Sequence, residues 1–179
     1  MTSTNAHVNR AHPPRGPAAE LQRLACQYAS NPNLEALLRD TGERTWARLA
    51  QAPGVEIWVN SWPEGAETGW HDHAGSPGAL AVASGSVVEE TWALGAVQRR
   101  RLAEGDSSSS DAEHVHNVCG RGKGRSLTVH AYAPRLVEMT AHTLRPAGPE
   151  PTEPTRTAGT TRTAGTTRTT GTTREGVDR

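Results

Sequence analysis

Residues 69–80 read GWHDHAGSPGAL, with His71 and His73 one residue apart. In an extended strand, residues i and i+2 point to the same face. A strand here aims both imidazoles at one point and turns Asp72 to the opposite side. That geometry suits a metal ion, which needs at least one further ligand from elsewhere in the chain.

Outward from this stretch, the chain after Pro53-Gly54 breaks into short strand-like segments. In VEIWVNSW (55–62), Val55, Ile57 and Val59 alternate with Glu56, Trp58, Asn60 and Trp62. GALAVASG, SVVEETWAL, AVQRRRLAEG, EHVHNV and RSLTVHAYA follow, punctuated by Gly85, Gly95, Gly105 and Gly120. Short strands with regular turn signals predict an all-β barrel or sandwich. Before them, Leu21, Leu24, Ala25 and Tyr28 fall at helical spacing, as do Leu34, Leu37 and Leu38. Asn31-Pro32 reads as a break between two short helices, with Asn33 capping the second. The expected fold is mainly β, with short N-terminal helices over 18–50 leading into a barrel over 54–146.

The ends have a different texture. Residues 1–17 are polar and interrupted by Pro13, Pro14 and Pro17. From 147 to 179 a drifting TRTAGT unit repeats, rich in Thr, Gly and Arg and nearly free of apolar side chains. Such a segment cannot offset the entropy of ordering, so both ends are expected to be disordered tails flanking one domain, 18–146. With 179 residues the chain is long enough for a proper core. Lys+Arg and Asp+Glu balance at 19 each, which leaves no large field to draw in nucleic acid or an anionic membrane. No apolar run approaches a membrane span, and the first twenty residues lack a secretory apolar stretch. Two cysteines, Cys26 and Cys119, form no disulfide framework, so a reduced, cytoplasmic setting is expected. The sequence is silent on oligomeric state, and a monomer is the plain expectation.

Two further clusters supply candidate ligands and neighbours. DAEHVHNVCG offers His114 and His116, again two apart; SLTVHAYAP places Thr128, His130 and Tyr132 on one strand face, with small apolar residues between them. Buried polar groups must be paired or must bind something, and three such faces in one barrel favour a site.

These residues resemble a known family. Gly65 through Gly85, with five residues between Gly65 and His-x-His, is similar to the first motif of cupins. Gly105 to Gly120 is similar to the second, with His116 at its histidine. Cupins usually add a Glu after His-x-His; here the segment is AGSPG. A closer resemblance, over roughly residues 20–145, is to thiol dioxygenases of the cysteine dioxygenase type I family. It rests on SWPEGAETGWHDHAGSPGALAVASGSVVEE, HVHNV and Ser126-x-Thr-x-His-x-Tyr-x-Pro.

The resemblance implies a cupin-type, jelly-roll-like barrel holding Fe(II) on His71, His73 and His116. It also implies oxidation of L-cysteine by O2 to cysteine sulfinic acid. His130 and Tyr132 match catalytic positions, with Tyr132 also touching substrate. Thr128 and Trp62 match residues behind them. Arg48 matches the arginine that holds the substrate carboxylate, although Arg44 lies close by in sequence. Neutral imidazoles suit Fe(II), and a facial set of three leaves positions open for an anionic thiolate. Where some relatives carry a cysteine that crosslinks to the active-site tyrosine, this chain has Gly78, which implies an uncrosslinked Tyr132. The loop GDSSSSDAEH (105–114) is more polar than the family's usual one. His7, His12 and His142 read as surface residues, His114 as peripheral and Cys26 as core. Two alternatives stay open: a dioxygenase of another small thiol such as 3-mercaptopropionate, and a non-catalytic metal-binding cupin sensor.

Overall fold

Alternating β-branched and aromatic residues make a stable strand when each face has a separate layer to pack on. Strand β2 (Val55–Trp62) meets that condition. In the computed structural model, which describes residues 16–155 and 165–166, Ile57 and Val59 pack under helix α1 (Pro17–Ala29). Trp62, from the other face, joins a second cluster with Leu80, Val82, Val87, Leu102 and Val118. Leu21 and Ala25, four apart on α1, are the helix residues driven into the first cluster. Full burial of a leucine such as Leu21 contributes roughly 1.5–3 kcal/mol.

The remaining strands are β1 (Thr45–Ala52), β3 (His71–Asp72), β4 (Gly78–Ser84), β5 (Ser86–Ala93), β6 (Ala96–Ala103) and β7 (Ser107–Ser110). They continue with β8 (His116–Gly120), β9 (Ser126–Tyr132), β10 (Met139–Arg145), β11 (Gly148–Thr155) and β12 (Gly165–Thr166). They form two antiparallel six-stranded sheets, in the orders β12-β1-β2-β9-β4-β7 and β11-β10-β3-β8-β5-β6. This is the two-sheet, mainly β architecture expected. The chain passes from β4 in one sheet to β5 in the other through a single residue, Gly85. Gly85 has φ +73°, and a Cβ there would lie 2.9 Å from Ser126 Cβ, so the crossing requires glycine.

Several expectations are corrected. Helix does not run to residue 50: after α1 there is one 3-10 turn, Glu35–Leu37, and residues 45–50 belong to β1. Ala, Arg and Leu are good helix formers, but their propensities differ by only tenths of a kcal/mol, and the ladder between β1 and β2 outweighs them. Asn33 caps nothing; instead its own N–H donates to Asn31 Oδ1 at 3.0 Å. The serine-rich loop contains a strand, β7, paired with β4. Residues 148–155 form an edge strand on β10 rather than a tail. Its prolines, Pro149, Pro151 and Pro154, are tolerated because an edge strand leaves some N–H positions without a ladder partner. The remaining tail expectations, for 1–15, 156–164 and 167–179, lie outside the described residues. No helix among the described residues is long and apolar enough to cross a membrane.

Candidate metal centre

Sheet register brings the histidines together. His71 on β3 lies directly across from His116 on β8, and His73 follows where β3 ends in a turn at Ala74 (φ 45°) and Gly75 (φ 90°). Ring centroids are 5.2 Å apart for His71–His73, 4.7 Å for His71–His116 and 5.1 Å for His73–His116. One ring nitrogen from each lies within 4.8 Å of the other two, and all three residues are buried. Asp72 points away, as alternation requires: it accepts His142 Nε2–H at 2.8 Å and the Ala74 N–H at 2.8 Å. His142 is therefore no surface residue; its side chain is 8 % exposed and braces the strand between the two ligands.

The donor set fits a divalent metal. His71 donates Nδ1–H to the Gly69 carbonyl at 2.9 Å, and His116 donates Nδ1–H to Glu89 Oε1 at 3.0 Å. Nε2 of His116 and both nitrogens of His73 are buried without a partner among the described residues. Buried, unpaired nitrogens cost free energy unless something binds them. Burial, joined by the neighbouring His116, holds His71 well below the usual imidazole range and His73 down to about 2. Burial also lowers His116, against the opposing pull of Glu89. All three are thus neutral, the form that ligates metal. His114, the alternative to His116, stands at the rim with its side chain 30 % exposed.

Across the barrel, β9 supplies the second half of the site. Trp62 donates Nε1–H to Thr128 Oγ1 at 2.7 Å, Thr128 Oγ1 is 2.8 Å from His130 Nε2, and His130 Nδ1 is 3.2 Å from the Tyr132 hydroxyl. The direction of this chain follows from Thr128. It is fully buried, and among the described residues the only acceptor for its own proton is His130 Nε2. Burial and the charge of Arg44 push His130 down to about 3, so it carries one proton, on Nδ1, donated to Tyr132. Tyr132 then keeps its own proton for the cavity. Burial raises the Tyr132 hydroxyl above its ordinary range, so it stays protonated. Its ring lies 4.9 Å from that of His73. A Cβ on Gly78 would sit 3.0 Å from Tyr132 Cε1, so glycine leaves that ring unobstructed.

The cavity between the halves is narrow, about 10 Å3, and is lined by His73, Glu89, Ser108, His116, His130 and Tyr132. That is room for roughly one water-sized group.

Arg48 is not brought into the site. It is exposed, it pairs across from Trp58, and its guanidinium rests 5.6 Å from that ring, while Trp58 in turn pairs with His130. Arg44 stands at the site instead. Its guanidinium lies 4.7 Å over the Trp62 ring, its Nε is buried without a partner, and its charge reaches Tyr132, His71 and His130. Burial pushes Arg44 down to about 10, still cationic at neutral pH. Sequence reasoning missed Glu89 and Ser108, although a carboxylate on a strand of VVEETW must face one layer or the other.

Among solved structures, the chain is similar to an uncharacterized conserved protein with a double-stranded β-helix domain from Klebsiella pneumoniae subsp. pneumoniae MGH 78578. Identity is 21 %, covering 67 % of this chain and 94 % of that one, with a TM-score of 0.50. TT1209 from Thermus thermophilus is 20 % identical over 59 % of this chain and 98 % of its own, with a TM-score of 0.51. A cupin superfamily protein from Desulfitobacterium hafniense DCB-2 is 19 % identical over 59 % and 90 %, at 0.49. These likenesses are of fold alone. No curated protein matches the chain. The family model of cysteine dioxygenase type I matches residues 16–145, most of the chain and all of the histidine site, and the chain belongs to that family.

Proposed function

We propose that the chain is a non-haem Fe(II) dioxygenase that converts L-cysteine and O2 to cysteine sulfinic acid. The observation that carries this reading is a cluster of three neutral imidazoles, two of them with buried unpaired nitrogens, beside a tyrosine whose ring lies 4.9 Å from that of His73 and whose hydroxyl is held by His130. Bound on His71, His73 and His116, Fe(II) supplies a redox-active Lewis acid that favours the thiolate form of a substrate thiol. The reaction balances without another reductant: sulfur loses four electrons, O2 gains them, and both oxygens end on sulfur.

This chain's own residues bind and orient. Arg44 offers a planar, cationic fork, unpaired and backed by Trp62, to the substrate carboxylate. Tyr132 donates its proton to the carboxylate or to the oxygen being transferred, and His130 holds that hydroxyl in place. Leu80 and Ala79 add an apolar wall to the cavity. A purely metal-storing sensor has no use for the buried Trp62–Thr128–His130–Tyr132 chain, which favours the enzyme.

The test is oxygen uptake by Fe(II)-loaded protein given L-cysteine or 3-mercaptopropionate, with the sulfinate quantified. Faster coupled uptake with cysteine is expected. Preference for 3-mercaptopropionate would overturn the substrate; no uptake from either by iron-loaded protein would overturn the enzyme. In the same assay, Arg44→Gln is expected to raise KM for cysteine at least tenfold, while Arg48→Gln leaves it within about twofold. The reverse pattern would return the carboxylate to Arg48.

A further inference from the structure

Glu89 is a carboxylate where none is needed for folding. It faces inward from β5 beside Val87 in the barrel interior, and it is 5 % exposed. An ionised side chain there costs several kcal/mol unless it is held by charge or hydrogen bonds, and a valine or leucine would fill the layer without that cost. Both of its oxygens are engaged. Oε1 accepts His116 Nδ1–H at 3.0 Å, and Oε2 accepts the Ser108 hydroxyl at 2.8 Å from β7 of the opposite sheet.

The three histidines are thus inequivalent. His73 has no hydrogen-bond partner at either nitrogen among the described residues, and His71 donates to a neutral backbone carbonyl. His116 alone donates to a carboxylate. That bond fixes the His116 proton on Nδ1 and leaves the Nε2 lone pair facing His71 and His73. It also makes the imidazole a stronger donor, because the carboxylate draws on its proton.

We propose that Glu89, oriented by Ser108, is a positioning residue of the metal centre, supplying through His116 the negative charge that a three-histidine ligand set lacks. A carboxylate ligand places its charge on the metal; here the charge stands one imidazole behind it, leaving the coordination position free. The proposal rests on the metal-binding half of the functional reading and not on the identity of the thiol.

The test compares wild type, Glu89→Gln and Ser108→Ala, each titrated with Fe(II) anaerobically without thiol, with the Fe(III)/Fe(II) midpoint potential of the bound iron recorded. Glutamine keeps the size and can still accept from Nδ1–H, so it removes the charge alone. Affinity is expected to fall about 10–100-fold in Glu89→Gln, with a raised potential, while the circular dichroism spectrum stays that of wild type. Ser108→Ala, which retains the carboxylate, should shift both in the same direction by less, and it keeps the test open if Glu89→Gln fails to fold. Wild-type affinity and potential in both variants would overturn the proposal. So would two irons per wild-type chain with one lost in Glu89→Gln, because Glu89, His114 and His116 would then be ligands of a second ion. His73→Ala serves as the control: if it binds iron as wild type does, the metal reading itself fails, independently of Glu89.

Discussion

Tyr132 accepts the Nδ1–H of His130 and so has its own proton free for whatever enters the cavity. Removing the hydroxyl leaves the ring against His73 and the ligands untouched. Tyr132→Phe is therefore expected to keep full iron stoichiometry and lower kcat about 10²–10⁴-fold, the typical range for a positioned proton donor. Unchanged turnover would take Tyr132 out of the chemistry. Gly78→Ala probes the same ring from behind. Its methyl would stand 3.0 Å from Tyr132 Cε1 and 3.3 Å from His73 Nδ1, so the ring must retreat by a few tenths of an ångström. Turnover should drop with little loss of iron; a variant as active as wild type would mean the ring's placement is uncritical. Single residues were legible where strand alternation alone decided their direction, as for His71, His73, Thr128, His130 and Tyr132. The arginines were not. Arg44 and Arg48 share a face in a strand as they do in a helix, and only the register that sets Arg48 beside Trp58 shows which one is excluded.

At the scale of elements, β2 and β9 act as one unit because the Trp62 indole spans them. Trp62 Nε1–H occupies a Thr128 lone pair and steadies the hydroxyl whose proton goes to His130. Without that donor, Thr128 still has His130 Nε2 as its acceptor, but its hydroxyl is no longer pinned from behind. The row then loosens, and His130 holds the Tyr132 hydroxyl less firmly. Trp62→Phe should accordingly bind iron normally yet lose about tenfold in kcat. Loss of stability by about 1–3 kcal/mol is expected too, since the indole is fully buried, so kcat must be compared well below the unfolding temperature. If kcat holds while stability falls, Trp62 is core packing and nothing more. Glu89 was hidden at this scale for a clear reason. Glu89 and Glu90 are adjacent, so one must point inward, but the pairing of β5 with β8 and of β7 with β4 identifies which, and brings Ser108 to it. A polar run such as Ser107–Ser110 carries no apolar alternation to mark it as a strand.

Across the whole molecule, two sheets close over imidazoles that the unfolded chain would expose, and this ties stability to pH. The barrel was readable from its turns and alternation, but its edges were not: β1 and β11 are strands because neighbours lie beside them, not because of their composition. Between those edges, burial lowers His71, His73, His116 and His130 alike. Each folded-state value is depressed, so above the unfolded value of about 6.5 both states are neutral and nothing depends on pH. Below it, the unfolded chain takes up protons that the fold refuses, and stability falls as pH falls. One unit below 6.5, His73 and His130, held down to about 2 and about 3, have each cost about 1.4 kcal/mol, together close to about 3 kcal/mol, and His71 and His116 act in the same direction. Burial alone would raise the carboxyls of Asp72 and Glu89, but their histidine partners hold both low, and they add to the loss once pH drops below about 4. The metal-free protein should therefore hold a constant Tm from pH 8 to 7, lose it steeply between pH 6.5 and 5, and unfold on further acidification. Iron-loaded protein should withstand about one pH unit more, because bound metal competes with the protons. His130→Gln, which leaves the three ligands in place, should make the metal-free slope shallower by about one proton. A metal-free Tm that stays flat from pH 7 to 5 would show that these imidazoles are not neutral in the fold, and would remove the basis for a preformed metal site.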